Sequence, residues 1–169
     1  LVAQGVTSWC PTIITGPEAA MAASFERIAG AARRGGIRPS VVGAHAEGPF
    51  LGGRPGAHPV EHVVEPDPDR VAALPQVVRV VTLGAEAPGA VAAVRALAER
   101  GVLVAIGHSD ADVDEARAAV DAGARLVTHA FNAMAPLHHR RPGVLGVALG
   151  DDRVAISLIA DLVHVHPTV

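Results

Sequence analysis

The chain has no lysine, no tyrosine and a single cysteine, and only 2% of its 169 residues are aromatic. Its 14 basic residues are all arginine, set against 17 acidic ones for a net charge of −3. They form no basic stripe, which argues against a nucleic-acid surface. The lone thiol, Cys10, rules out an internal disulfide and suits a reducing, cytoplasmic setting. The apolar runs are too short and too broken to span a bilayer, so no membrane association is expected. No glycine-rich nucleotide fingerprint follows the first strand pattern, "GVTSWCPTIIT". The excess of Ala, Val, Gly, Arg and Pro matches a high-GC coding bias and carries little functional meaning.

What is present is half apolar, with 18 Gly and 13 Pro, material for one globular domain over residues 1–169 with a real core. Strand and helix patterns alternate along it. After "GVTSWCPTIIT", the spacing of Met21, Phe25, Ile28 and Ala32 predicts a buried stripe on a helix from Pro17 to Arg34, stopped by Gly35 and Gly36. "SVVGAHAEG" is a strand, followed by a Gly/Pro-rich ordered loop from Gly48 to about Pro68. "VVRVVTLGAE" is the next strand, and Pro88 starts a helix carrying Val91, Val94 and Leu97. "GVLVAIGHSDA" precedes a short helix from Asp112 to Val120, closed by Gly123. "RLVTHAFNAM" is a strand, then comes a loop rich in His, Arg and Pro, and "RVAISLIADLVHVH" is the last strand.

Nearly continuous apolar strands separated by helices imply a parallel sheet with crossover helices. Six such signals, each with polar residues at its carboxyl end, predict an α/β fold of the (β/α)8 TIM-barrel type, with the chemistry at the strand carboxyl ends. An open doubly wound sheet is the structural alternative.

The strand ends then read as one site. Residues two apart on a strand share a face, so His45 and Glu47 point the same way. On a barrel rim Glu47 would meet His108 of "AIGHSDA" and His129 of "VTHAFNAM". Each alone is equally a strand end capped by its backbone. Together, one carboxylate and two imidazoles suit a borderline-soft divalent ion such as zinc, at about 2.0–2.2 Å, with an open position for water. His45 is expected beside the site as a packing or supporting residue.

The blocks "HAEGPFL", "GAHP", "VTLGAE", "GHSDA", "THAFNAM", "RRPGVLG" and "IADLVHVH" resemble, in order and over nearly the whole chain, the N-acetylglucosamine-6-phosphate deacetylase family of the amidohydrolase superfamily. The resemblance implies a metal-dependent hydrolase that removes the acetyl group from N-acetylglucosamine 6-phosphate. It implies that Glu47, His108 and His129 hold the essential divalent metal, zinc first, with iron, manganese or cobalt as alternatives and a second ion left open. His58 of "GAHP" matches the histidine that polarises the acetamide carbonyl, with Ala57 beside it in the substrate pocket. Asn132 and Ala133 match a pair contacting the sugar phosphate. Arg140 matches a phosphate-binding arginine, with Arg141 adjacent. His164 matches a substrate histidine supplied across a dimer interface, which implies a homodimer. The family's proton-shuttling aspartate lies in a "TDA"-like block that these residues do not contain, and Asp161 belongs to a different block. The first-strand metal motif is likewise not among them. The expectation is therefore strands two to seven of an eight-stranded barrel, inactive as an isolated piece. Two further readings stand beside this one: another amidohydrolase acting on a different small amide, and a non-catalytic phosphosugar-binding barrel.

Overall fold

The computed structural model describes residues Leu1–Val169. A sheet of six parallel strands carries the fold, in the order β2 (Thr12–Ile14), β4 (Ala44–Glu47), β5 (Val78–Leu83), β6 (Leu103–Ile106), β7 (Leu126–Val127) and β8 (Ala155–Ile156). A short parallel pair, β1 (Ser8–Trp9) with β3 (Ser40–Val41), extends the first two strands backward past the Cys10–Pro11 interruption. The ladder runs on across it, because the Val42 N–H donates to the Trp9 carbonyl and the His45 N–H to that of Pro11. Neighbours in the sheet are neighbours in sequence, with none of the order reversal that marks a doubly wound sheet.

Strand alternation sorts the residues into two faces. Ala44, Ala46, Val81, Leu83, Val104, Ile106 and Val127 enter the core cluster beneath the helices. The helices are α1 (Glu18–Ala32), α2 (Pro68–Ala72), α3 (Ala90–Glu99), α4 (Val113–Ala122) and α5 (Gly143–Gly150). Phe25, Leu97 and Leu145 are among the side chains they bury there, each worth about 1.5–3 kcal/mol. The alternate positions, His45, Glu47, Thr82, Gly107 and Thr128, face the other way. There Thr12 Oγ1 lies 3.0 Å from His45 Nδ1, His45 Nε2 lies 2.7 Å from Thr82 Oγ1, and the Thr82 and Thr128 hydroxyls are 2.7 Å apart. The last contact skips a strand. Only a glycine at 107 permits it, since a Cβ there would stand 2.8 Å from Thr82 Cγ2 and 3.0 Å from Thr128 Cβ.

Several expectations require correction. The Gly35–Gly36 pair does not cap α1, which ends at Ala32 with Arg33 as its C-cap. Ala32 and Val91 are exposed; the buried stripes are Met21, Phe25 and Ile28, and Ala90, Ala93, Val94 and Leu97. Two helices add to the predicted set. In α2 the Asp67 side chain accepts the Asp69 and Arg70 N–H groups and Pro68 occupies the first turn; α5 buries Val144, Leu145, Val147 and Ala148. The helix after β6 runs Val113–Ala122, behind a capping box made by Asp112 and Glu115.

The last two strands are far shorter than their apolar patterns suggest. β7 stops at Val127 because His129, Phe131 and Ala133 adopt φ of 34°, 75° and 47°, left-handed values that no ladder continues through. β8 stops at Ile156, and further on the Asp161 carboxylate accepts the Val163 and His164 N–H groups, a local turn that competes with strand pairing. No helix is long and apolar enough to cross a membrane.

Candidate metal centre

Glu47 ends β4, while His108 and His129 lie two residues past the ends of β6 and β7. Both histidines have positive φ, 51° and 34°, a conformation costing of order 1–3 kcal/mol that persists only where surroundings enforce it. The strained backbone turns the two rings back toward the carboxylate. His108 Nε2 is 3.1 Å and His129 Nε2 2.9 Å from Glu47 Oε1, and the two nitrogens are 3.0 Å apart. Three donor atoms thus form a nearly equilateral triangle, close to the spacing of atoms that share one ion at about 2.0–2.2 Å.

The neighbouring backbone determines which ring nitrogens carry protons. His108 Nδ1 lies 3.0 Å from the Arg54 carbonyl, which can only accept, so Nδ1 donates and the neutral ring presents a lone pair at Nε2. His58 is the mirror case. Its Nδ1 accepts the Thr15 N–H at 3.3 Å, so the proton of the neutral ring sits on Nε2, 3.9 Å from Glu47 Oε2. His58 also falls within 4.8 Å of Glu47 and His108 as an alternative third donor. The tighter His129 geometry and the protonated Nε2 of His58 favour His129 as the ligand and His58 as a hydrogen-bond donor. His129 Nδ1 is buried without a partner, and its backbone N–H donates to Ser157 Oγ at 2.9 Å.

Glu47 is 9% exposed and has ion-pair contacts with histidines alone. A buried carboxylate needs a positive partner. Burial pushes its pKa up, but its contacts with the His108 and His129 rings outweigh that and hold it well below the usual carboxylate range. His129 is pulled down by burial, yet its contact with Glu47 leaves it raised overall. Burial, then the neighbouring His108, lowers the pKa of His58. His45 is also lowered, chiefly by burial; its two nitrogens are taken by Thr12 and Thr82 and it ligates nothing. The donor set therefore fits a divalent cation. One ion in the triangle would satisfy the His108 and His129 lone pairs and the Glu47 charge together.

The remaining expected site residues divide. A Cβ on Gly56 would lie 3.5 Å from both the Ala133 Cβ and the His108 ring, so the Ala57–His58 loop adjoins the Asn132–Ala133 turn. Asn132 Nδ2 donates to the Ala130 carbonyl at 3.3 Å, and the Ala133 N–H has no partner within the chain. Arg140 and Arg141 both line a cavity of about 610 Å³, together with Arg54, Asp110 and His138, next to the triad rather than over it. His164 is not brought to the centre: its Nδ1 turns onto Asp161 Oδ2 at 2.7 Å, half exposed beyond β8. Sequence reasoning passed over Thr15, Glu86, Ser157 and the Arg54 carbonyl. Of these only Glu86 had a visible signal, as a charged residue at a strand end in "VTLGAE".

No protein-family model matches the chain. Among curated proteins it is 44% identical over 169 residues to an N-acetylgalactosamine-6-phosphate deacetylase of Escherichia coli O157:H7, a match covering 97% of this chain and 45% of that protein. It is 44% identical over 131 residues to an N-acetylglucosamine-6-phosphate deacetylase of Lysinibacillus sphaericus, covering 75% of this chain and 34% of the other. Among solved structures, N-acetyl-D-glucosamine-6-phosphate deacetylase from Mycobacterium smegmatis superposes with a TM-score of 0.85 at 37% identity, over 96% of this chain and 43% of that one. A mutant of the same enzyme has been solved in complex with N-acetyl-D-glucosamine-6-phosphate. The chain spans less than half the length of the relatives it matches.

Proposed function

Since the chain belongs to the N-acetylglucosamine-6-phosphate deacetylase family, we propose that it contributes the metal-binding and carbonyl-polarising side chains of a metal-dependent deacetylase acting on N-acetylglucosamine 6-phosphate. The observation that carries this reading is the Glu47–His108–His129 triangle, with the Nε2–H of His58 beside it. The sheet is read as six strands of a (β/α)8 barrel, with the site on its carboxyl rim.

Glu47, His108 and His129 would hold one divalent ion, zinc by donor type. When bound, such an ion supplies a Lewis acid at the scissile amide and lowers the pKa of a water. The chain's own residues do the rest of what can be assigned. His58, neutral and protonated at Nε2, donates toward the acetyl oxygen, where negative charge develops as the amide carbon becomes tetrahedral. Thr15 keeps that proton on Nε2 by occupying Nδ1. The free Ala133 N–H, with Asn132, faces the sugar phosphate, and Arg140 reaches it from the flanking cavity. His164 joins the site from the partner subunit of a homodimer, which accounts for its distance from this centre.

The test is acetate release from N-acetylglucosamine 6-phosphate by zinc-loaded protein in which this chain is joined to the "TDA"-like block, since these residues alone are expected to be inactive. The galactosamine epimer is assayed in parallel, because one relative of 44% identity bears that name. Release from a sugar phosphate is expected, and none from either would refute the reading. Arg140→Ala should raise KM for the phosphorylated sugar roughly tenfold or more, since a charge-assisted bond contributes about 1.5–3 kcal/mol. It should leave turnover of unphosphorylated N-acetylglucosamine unchanged, and equal losses on both would remove Arg140 from the phosphate site.

A further inference from the structure

Glu86, three residues past the end of β5, is a partly buried carboxylate with no arginine against it. Its Oε1 accepts the backbone N–H groups of Gly53 at 2.7 Å and Asp110 at 2.6 Å, and its Oε2 accepts the Ser109 hydroxyl at 2.5 Å. Ser109 Oγ in turn accepts the N–H groups of Ala85, at 3.3 Å, and Ala111, at 3.2 Å. One side chain therefore joins the loops that follow β4, β5 and β6.

Those loops contain what orients His108. The residue after Gly53 is Arg54, whose carbonyl takes the Nδ1–H of His108. The residues after His108 are Ser109 and Asp110, both bound to Glu86. The Gly52 N–H also donates to the His108 carbonyl at 2.9 Å, and a Cβ on Gly52 would overlap the Glu86 carboxylate. Glu86 thus spans the two ends of the Nδ1–H···O=C contact, holding the acceptor's loop through Gly53 and the donor's loop through Ser109 and Asp110. The positive φ of His108 makes such a tether necessary, since a ring on a strained backbone has no intrinsic preference for this position.

We propose that Glu86 is a positioning residue for the metal centre, fixing the rotation and the Nδ1-protonated tautomer of His108 by tying the Gly53–Arg54 loop to Ser109–Asp110. The inference rests on the reading of Glu47, His108 and His129 as metal ligands. Partners that hold the ligand's second nitrogen typically change metal affinity 10–100-fold when lost.

The experiment compares wild-type protein with Glu86→Ala and Glu86→Gln by two measurements. Imidazole ¹⁵N shifts of the metal-free proteins report which His108 nitrogen carries the proton, and calorimetric titration with zinc reports affinity. Wild type should show His108 protonated at Nδ1. Glu86→Ala should show mixed tautomers and zinc affinity lower by about 10–100-fold. Glu86→Gln should recover part of both, because its oxygen can accept the two backbone N–H groups while its amide cannot accept the Ser109 hydroxyl. A purely structural role would lower the melting temperature of Glu86→Ala and leave the His108 tautomer untouched. That result, with unchanged zinc affinity, would overturn the proposal. Should Glu86→Ala not fold, Ser109→Ala takes its place, and an unaltered His108 signal there overturns it equally. Wild-type protein that fails to bind zinc would refute the ligand reading instead, while the metal-free tautomers still decide the role of Glu86.

Discussion

Two parts of this molecule place histidine next to an acidic residue just beyond a parallel strand, with opposite results. At the rim of β4, β6 and β7, Glu47 gathers His108 and His129 within 3.1 Å in a setting nearly closed to water. Beyond β8, Asp161 and His164 are as close, at 2.7 Å, with side chains 44% and 48% exposed. The first pair of histidines is held by elements distant in sequence, His108 through its ring on the Arg54 carbonyl and His129 through its backbone N–H on Ser157 Oγ. The second is held by residues two and three positions away. Residue type and distance are alike in the two places, so it is burial and long-range anchoring that turn one into a candidate ligand set and leave the other a surface turn.

The comparison breaks most visibly if Glu47 can be neutralised without consequence. Glu47→Gln removes the only anion among the three donors and should reduce zinc affinity beyond the 10–100-fold typical of losing a supporting contact, read by calorimetry. Retained affinity would mean that the imidazoles alone suffice, or that His58 replaces the carboxylate. His58→Asn should act at a different step. It removes a donor aimed where charge develops, so kcat of protein that also carries the "TDA"-like block should fall roughly 10²–10³-fold, with zinc affinity close to wild type. A parallel loss of zinc would show His58 to be a ligand.

The pH dependence of the metal-free protein sharpens the contrast further. The folded-state pKa of Glu47 is depressed, so its stabilising contribution is complete above the ordinary carboxylate value of about 4.3 and is lost as pH falls through the folded value. That of His129 is raised, so its contribution is complete below about 6.5 and is lost as pH rises through its folded value. Melting temperature followed from acid to alkaline pH should therefore be highest between these limits and fall on the alkaline side, and Glu47→Gln should flatten both slopes. A profile unchanged by that substitution would sever the link between Glu47 and His129.

The smallest effect is expected in the second region. The His164 and Val163 N–H groups, aided by the His164 ring, hold the Asp161 carboxylate at about 2, but the group is open to solvent. Such exposed pairs contribute little. Asp161→Asn, which preserves the turn, should leave the melting temperature unchanged at neutral pH. A clear drop would mean that the segment beyond β8 is anchored as firmly as the rim.

Much of this was readable from residue order. Alternation of apolar strands with helices follows from burial on both faces of a parallel sheet, and the six strands appear in the expected succession. Period-two alternation placed His45 and Glu47 on one face, where the structure has them. Strand lengths are not legible after Val127 and Ile156, because apolar composition does not register a left-handed backbone or an aspartate-centred turn.

By itself, then, the sequence determined the succession of parallel strands, the carboxyl-end position of Glu47, His108 and His129, and the chemistry that one carboxylate and two imidazoles can offer. Only the tertiary structure decided which ring nitrogen of His108 and of His58 carries a proton, that His45 belongs to a threonine ladder, and that Glu86 spans three loops. The reason is physical. Periodicity reports which face a side chain takes, a local property of the backbone. Protonation and orientation are set by single carbonyls and amides brought within 3.3 Å from positions up to 54 residues away.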